Sequence, residues 1–127
     1  MVPASKHQKS PACVLVVEDE VLVRVVIADE LRAEGFLVIE AATADQALSY
    51  FQAGVQVDLV LTDIEMPGSI NGIGLVQRLR VVAPNLPTVL TSGNSPAAHE
   101  ADAFVSKPYD MRQVVALIAT LLHKETR

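Results

Sequence analysis

Four short apolar runs, Cys13–Val17, Leu59–Thr62, Thr88–Leu90 and Ala103–Ser106, each run straight into polar residues. Glu18 and Asp19 follow the first, Asp63 the second, Thr91 the third, and Lys107 with Pro108 the fourth. All four are strand-like in length, and the continuous apolar run Cys13–Val17 fits a strand covered on both faces, where no side of the pleat meets water. Between them the period changes from strand-like to helical. Over Glu20–Glu34, Val23, Val26, Ile27 and Leu31 recur at spacings of three and four, and Gly35 ends the helix. Phe36–Glu40 reads as a second, edge-like strand. Thr43 then caps a helix with Ala47, Leu48 and Phe51 inward and Gly54 at its end. The third strand is expected over Val57–Thr62. A Pro–Gly loop from Met66 to Asn71 precedes a helix over Gly72–Val82, and Pro84 and Pro87 bracket the next turn. Asp110 caps a last helix whose inner face is Met111, Val114, Val115, Ile118, Leu121 and Leu122.

Five strands alternating with helices predict a doubly wound α/β fold, a five-stranded parallel sheet joined by right-handed crossovers. In such a sheet the carboxyl ends of the strands face one crevice. Glu18, Asp19, Asp63, Thr91 and Lys107, scattered along the chain, therefore meet. Three carboxylates close together repel one another, and a divalent cation relieves that repulsion. Mg²⁺ takes hard oxygen ligands and keeps some of its waters. A hydroxyl and an amine beside such an ion suit a phosphoryl group. An acidic pair at one strand end is more often a cap or solvated charge; the polar groups at the other strand ends favour the metal reading here.

Composition narrows the partners. The 127 residues make one domain, half apolar and one-fifth charged at 50% and 20%. A net charge of −5 argues against a surface built for nucleic acid, and Arg78, Arg80, Arg112 and Lys124 form no basic run. No apolar stretch reaches the roughly 18–20 residues that span a bilayer, and the first residues lack the apolar centre of a secretion signal. A cytoplasmic protein is expected, with no membrane partner. Residues 1–12 read as a disordered tail and 13–124 as the folded domain. The single Cys13 excludes an internal disulfide and is expected to be a small core residue. His7, His99 and His123 lack ligand spacing and read as surface bystanders.

The segments VLVVEDE (14–20), LVLTDIEMPG (59–68), NGIGL (71–75), TVLTSG (88–93) and FVSKPY (104–109) carry a resemblance. In this order and spacing the chain resembles the receiver domains of two-component response regulators, single-domain chemotaxis-type members included, from Cys13 to about Lys124. The resemblance implies a flavodoxin-like sheet of order 2-1-3-4-5. It implies Mg²⁺ held by Glu18, Asp19, Asp63 and the backbone carbonyl of Glu65. Asp63 would be the phosphoacceptor, attacking a phosphohistidine on a histidine kinase or histidine phosphotransfer protein to give an aspartyl phosphate. Lys107, aimed by a cis bond to Pro108, would pair with a phosphoryl oxygen, and Thr91 would hydrogen-bond another. Phe104 occupies the aromatic switch position, turning as the Thr91 hydroxyl moves toward the phosphate. Val21, Leu22 and Val25 are expected as a kinase docking patch, against the plainer alternative of valine enrichment.

On this resemblance the chain is a stand-alone receiver that catalyses only its own phosphorylation and dephosphorylation and switches binding to a downstream protein not yet identified. Leu117 and Ala116 suggest a weak homodimer. Two other readings remain: a pseudo-receiver that binds partners without phosphorylation, and a Mg²⁺-dependent aspartyl-phosphate phosphatase. The second lacks the Asp-x-Asp motif on the first strand. Three departures from the family pattern stand out. MPGSING carries one residue more than the commoner loop. Glu65 sets a carboxylate beside the phosphoryl site, where it should repel small anionic donors, while Gly93 leaves the other flank open to water. Thr91 and Lys107 are only 16 positions apart, so the fourth helix of the family is expected to be short or missing, with Ser95 as cap and Pro96 as start. The usual output face is then altered, and a loop would order instead.

Overall fold

The computed structural model describes residues 11–94 and 100–125. Strands β1 (Cys13–Val17), β2 (Leu37–Ala41), β3 (Leu59–Asp63), β4 (Thr88–Ser92) and β5 (Ala103–Ser106) form one sheet of order β2-β1-β3-β4-β5. Every neighbouring pair is parallel. Four helices occur among the described residues: α1 (Val21–Ala33), α2 (Ala44–Gln52), α3 (Gly72–Val82) and α4 (Met111–Glu125).

Strand alternation divides the core in two. Val14 and Val16 of β1, Leu59 and Leu61 of β3 and Val89 of β4 point to one face, where Ile27 and Leu31 of α1 and Val114 and Ile118 of α4 cover them. Leu15, Val17 and Val60 point to the other, under Ala44 and Ala47 of α2 and Leu75 and Leu79 of α3. Both faces of β1, β3 and β4 are thus dry, which is why their sequences read as unbroken apolar runs. The edge strand β2 is half-buried or exposed over most of its length.

Local signals act where the spacing put them. The Thr43 hydroxyl accepts from the Gln46 amide at 3.0 Å, and the Asn71 side chain accepts from Gly74 at 3.0 Å, capping α2 and α3. Gly35 and Gly54 take positive φ of 98° and 82° just past the ends of α1 and α2. Asp110 accepts from the Arg112 amide at 2.9 Å at the start of α4.

Several boundaries shift. Phe36 precedes β2, which runs on to Ala41; β3 starts at Leu59 rather than Val57 and includes Asp63; β4 continues through Thr91 and Ser92. Glu20 and Glu34 flank α1 as its caps. Val26 does not face the core but is 57% exposed. The buried stripe of α1 is the narrower Ile27, Ala28 and Leu31 with Val23 beside it, so Val26 lies one step around the helix, over the gap toward α4.

The expected tail falls mostly on residues 1–10, and the expected helix between β4 and β5, with Ser95, Pro96 and His99, on residues 95–99. Both lie outside the described residues, as does His7. The described part of the β4–β5 connection is not helical. Its far end is tied to α3 by Arg80, whose Nε and Nη2 donate to the Glu100 carbonyl at 3.0 and 2.7 Å and which pairs with Asp102 at 3.0 Å. Asp102 in turn accepts from the Thr88 amide at 2.7 Å, fixing the start of β4.

Candidate phosphoryl and metal site

Sheet register brings the polar strand ends together. Val17 pairs with Thr62, Asp63 with Thr91, and Ser92 with Ser106. Glu18, Asp63, Thr91 and Lys107 thus occupy neighbouring positions at the carboxyl edge, about 4.8 Å per strand apart. Carboxylate oxygens of Glu18, Asp19 and Asp63 all lie within 4.8 Å of one another. Glu18 and Asp63 are buried, at 2% and 5% exposure, while Asp19 faces solvent.

Lys107 Nζ donates to Asp63 Oδ2 at 3.0 Å and reaches Glu18 Oε1 at 3.4 Å. The Lys107–Pro108 peptide is cis, and the Lys107 amide donates to the Ser92 carbonyl at 2.8 Å. The Glu65 amide donates to Asp63 Oδ1 at 3.3 Å, closing the turn that follows β3. Thr91 is buried at 3% exposure. Phe104 is half-buried and packs against Ile64, Val76 and Leu90, beside the site rather than in it.

Electrostatics match a crowded acidic site. Burial pushes the Glu18 carboxyl up to about 6; the Asp63 charge adds to this, and the Glu20 amide and the Lys107 charge oppose it. Burial alone would lower the Lys107 amine, but its hydrogen bond to Asp63 and the Glu18 charge outweigh that and hold it above its usual range. Oxygen-only donors, two of them buried and repelling, are the chemistry a hard divalent cation satisfies. The residues fit Mg²⁺.

Glu18 is raised in the fold, so the native state binds more protons than the unfolded chain between about pH 4.5 and 6. Without metal, stability should fall as pH rises through that window, by an amount of order 2 kcal/mol. Denaturant melts in chelator between pH 4.5 and 7 check this, and Glu18→Gln should flatten the profile. Added Mg²⁺ should remove most of the loss above pH 6.

Three residues near the site were not assigned a role from sequence. Ser92 donates its hydroxyl to Glu65 Oε2 at 2.8 Å and accepts from the Asn94 amide at 3.1 Å. The Glu65 carboxylate is therefore tethered to the end of β4. Gly72 lies over the Asp63 backbone, where a β-carbon would overlap the Asp63 carbonyl. Arg24 reaches the Glu18 carbonyl from α1 at 2.9 Å. No local spacing betrays such contacts. Among the described residues, no atom lies within 4 Å of where a β-carbon on Gly93 would sit.

The outer face of α1 is apolar. Val21, Leu22 and Val25 are 59%, 80% and 39% exposed. Leu22 and Val26, with Lys107, Pro108, Tyr109 and Met111, line a groove of 590 Å³. A hollow of 660 Å³ lies at the opposite edge of the sheet, by Ala12, Asp58 and Pro87, remote from the carboxylates. Cys13 is buried, and its thiol is pushed up by burial and by the nearby Asp58. His123 is exposed. Among the described residues no helix is long and apolar enough to cross a membrane.

The family described as the response regulator receiver domain matches residues 14–119. The sensor kinase CckA of Brucella abortus is 34% identical over 122 residues, covering 90% of this chain and 13% of that protein. The chain spans about half the length, or less, of the curated relatives it matches. Among solved structures, the response regulator TrrA of Thermotoga maritima in complex with Mg²⁺-BeF is 30% identical with a TM-score of 0.79, covering 87% of this chain and 98% of that one. A CheY-like receiver from Methanospirillum hungatei has a TM-score of 0.86 at 24% identity, covers 92% of this chain and 98% of that one, and speaks to the fold alone.

Proposed function

Since the chain belongs to the response regulator receiver domain family of two-component signalling, which is not a classical enzyme family, we propose that it accepts a phosphoryl group from a phosphohistidine onto Asp63. The observation that carries this reading is the cluster itself. Glu18, Asp19 and Asp63 offer oxygens within 4.8 Å of one another, with Lys107 Nζ 3.0 Å from Asp63 Oδ2. Receiver domains interact with histidine kinases, and the donor here is a histidine kinase or a histidine phosphotransfer protein.

The residues divide the work. Glu18, Asp19, Asp63 and the Glu65 carbonyl would hold Mg²⁺, which when bound offsets negative charge on the phosphoryl oxygens. One oxygen of Asp63 attacks phosphorus in line as the bond to the histidine nitrogen breaks; the nitrogen keeps the electron pair, and with a proton on its other nitrogen the ring leaves as neutral imidazole on the donor. Lys107, drawn to Asp63 before transfer, turns its charge to a phosphoryl oxygen afterwards. The Thr91 hydroxyl, one strand away, hydrogen-bonds another. Phe104, packed against Ile64 and Leu90 before transfer, then turns into the space the Thr91 hydroxyl leaves, altering the surface that a downstream protein reads. The tethered Glu65 carboxylate disfavours small anionic donors, and the open side at Gly93 admits water for dephosphorylation.

Mg²⁺-dependent transfer of label from a phosphorylated histidine kinase tests the reading. Turnover of free phosphate esters would support the phosphatase alternative, and neither activity would support the pseudo-receiver.

The exposed Val21, Leu22 and Val25 would receive a helix of the donor, with the groove leading its phosphohistidine toward Lys107. Charged replacements, Leu22→Glu with Val25→Glu, should slow transfer from the cognate donor about tenfold, roughly 1.4 kcal/mol. The circular dichroism spectrum should stay unchanged. Unaltered stopped-flow transfer rates would exclude the patch.

A further inference from the structure

Arg24 sits in the opening turn of α1, where its charge opposes the positive end of the helix dipole. Its side chain is only 16% exposed, so it is not there as a solvated charge. It makes two directed bonds instead. Nη1 donates to the Glu18 carbonyl at 2.9 Å, and Nε donates to Glu40 Oε1 at 3.2 Å.

Glu40 is itself fixed. Its Oε2 accepts from Arg32 at 3.3 Å, and its backbone carbonyl accepts from the Tyr50 hydroxyl at 2.9 Å. The Glu18 amide donates to the carbonyl of Ala41, the next residue of β2, at 3.0 Å. Both polar groups of the Glu18 main chain are therefore anchored, one by the end of β2 and one by Arg24. With its backbone held, the Glu18 side chain turns inward, where Oε2 accepts from the Glu20 amide at 3.1 Å and Oε1 faces Lys107.

We propose that Arg24 is a positioning residue for the metal site: by clamping the Glu18 carbonyl to Glu40, it sets the turn that presents Glu18 and Asp19 to a divalent cation. This rests on the receiver reading of the acidic cluster. The charge of Arg24 is already answered by Glu40, so the clamp acts through geometry. Only a planar fork spans the carbonyl and the carboxylate at once; lysine keeps the charge and loses the span.

The sign of the effect separates this from simple electrostatics. A cation near the site repels Mg²⁺, so removing a merely nearby charge would tighten metal binding. Loss of a clamp loosens it. Isothermal titration of the whole chain with MgCl₂, on variants shown folded by circular dichroism, reads the difference. Arg24→Ala and Arg24→Lys should both bind Mg²⁺ about tenfold more weakly, in the range seen when a residue that orients a metal ligand is lost. The backbone carbonyl resonance of Glu18 should move in both. Equal or tighter binding by either variant overturns the clamp while leaving the acidic site standing. Absence of Mg²⁺ binding by the unaltered chain, with Asp19→Asn no different, overturns the metal site and the clamp with it.

Discussion

Replacing Asp63 by asparagine should reduce phosphotransfer to background, a loss of at least about 1,000-fold, or some 4 kcal/mol of barrier. An amide oxygen at that position cannot form an acyl phosphate. The substitution keeps the volume of a side chain only 5% exposed, so packing should survive. It also removes a negative charge that helps hold Glu18 near 6. Glu18 should then titrate lower, and the metal-free fold should be no less stable than the original. Retained structure with lost transfer is the expected pair of results, read by thermal melts and labelled transfer on one preparation. Transfer that persists would mean the acceptor lies elsewhere.

The second large effect is structural. Gly72→Ala should destabilise the fold by about 3 kcal/mol, because the added carbon overlaps main chain rather than a side chain that could rotate away. For a domain of this size that is a fall of roughly 10 °C in the melting midpoint. The contact is with the Asp63 carbonyl, and the Gly72 amide donates to the neighbouring Ile64 carbonyl at 3.0 Å. Relief of the overlap has to move the acceptor's backbone, so Mg²⁺ binding should weaken as well. Gly93→Ala is the control: its β-carbon meets nothing within 4 Å among the described residues, and the midpoint should hardly change. Equal midpoints for the two alanine variants would contradict the packing argument.

Much of this arrangement was legible from residue order because the strands of a doubly wound sheet advertise themselves. Burial on both faces makes β1 an apolar run with Glu18 at its end and β3 one that leads into Asp63, while Asn71 marks the start of α3. Polar residues inside the sheet were harder. Thr91 and Ser92 belong to β4 yet look like loop, since nothing in a hydroxyl announces that it is buried at a strand end. Val26 matched a helical repeat but fell outside the stripe, because three- and four-residue spacing cannot say how wide a face its neighbours cover. Gly72, Ser92 and the Arg24 clamp stayed hidden for one reason. Each acts on a partner that only the folded sheet and its loops bring near: the Asp63 backbone, Glu65 and Glu40.

Chemical trapping tests the central claim most directly. The chain is incubated with a phosphorylated histidine donor and Mg²⁺, reduced with borohydride, which converts an acyl phosphate to the alcohol, and digested for peptide sequencing. Homoserine at position 63, absent when Mg²⁺ is chelated, is the predicted result. An unmodified Asp63, or homoserine at Glu18's neighbour Asp19 instead, would contradict it.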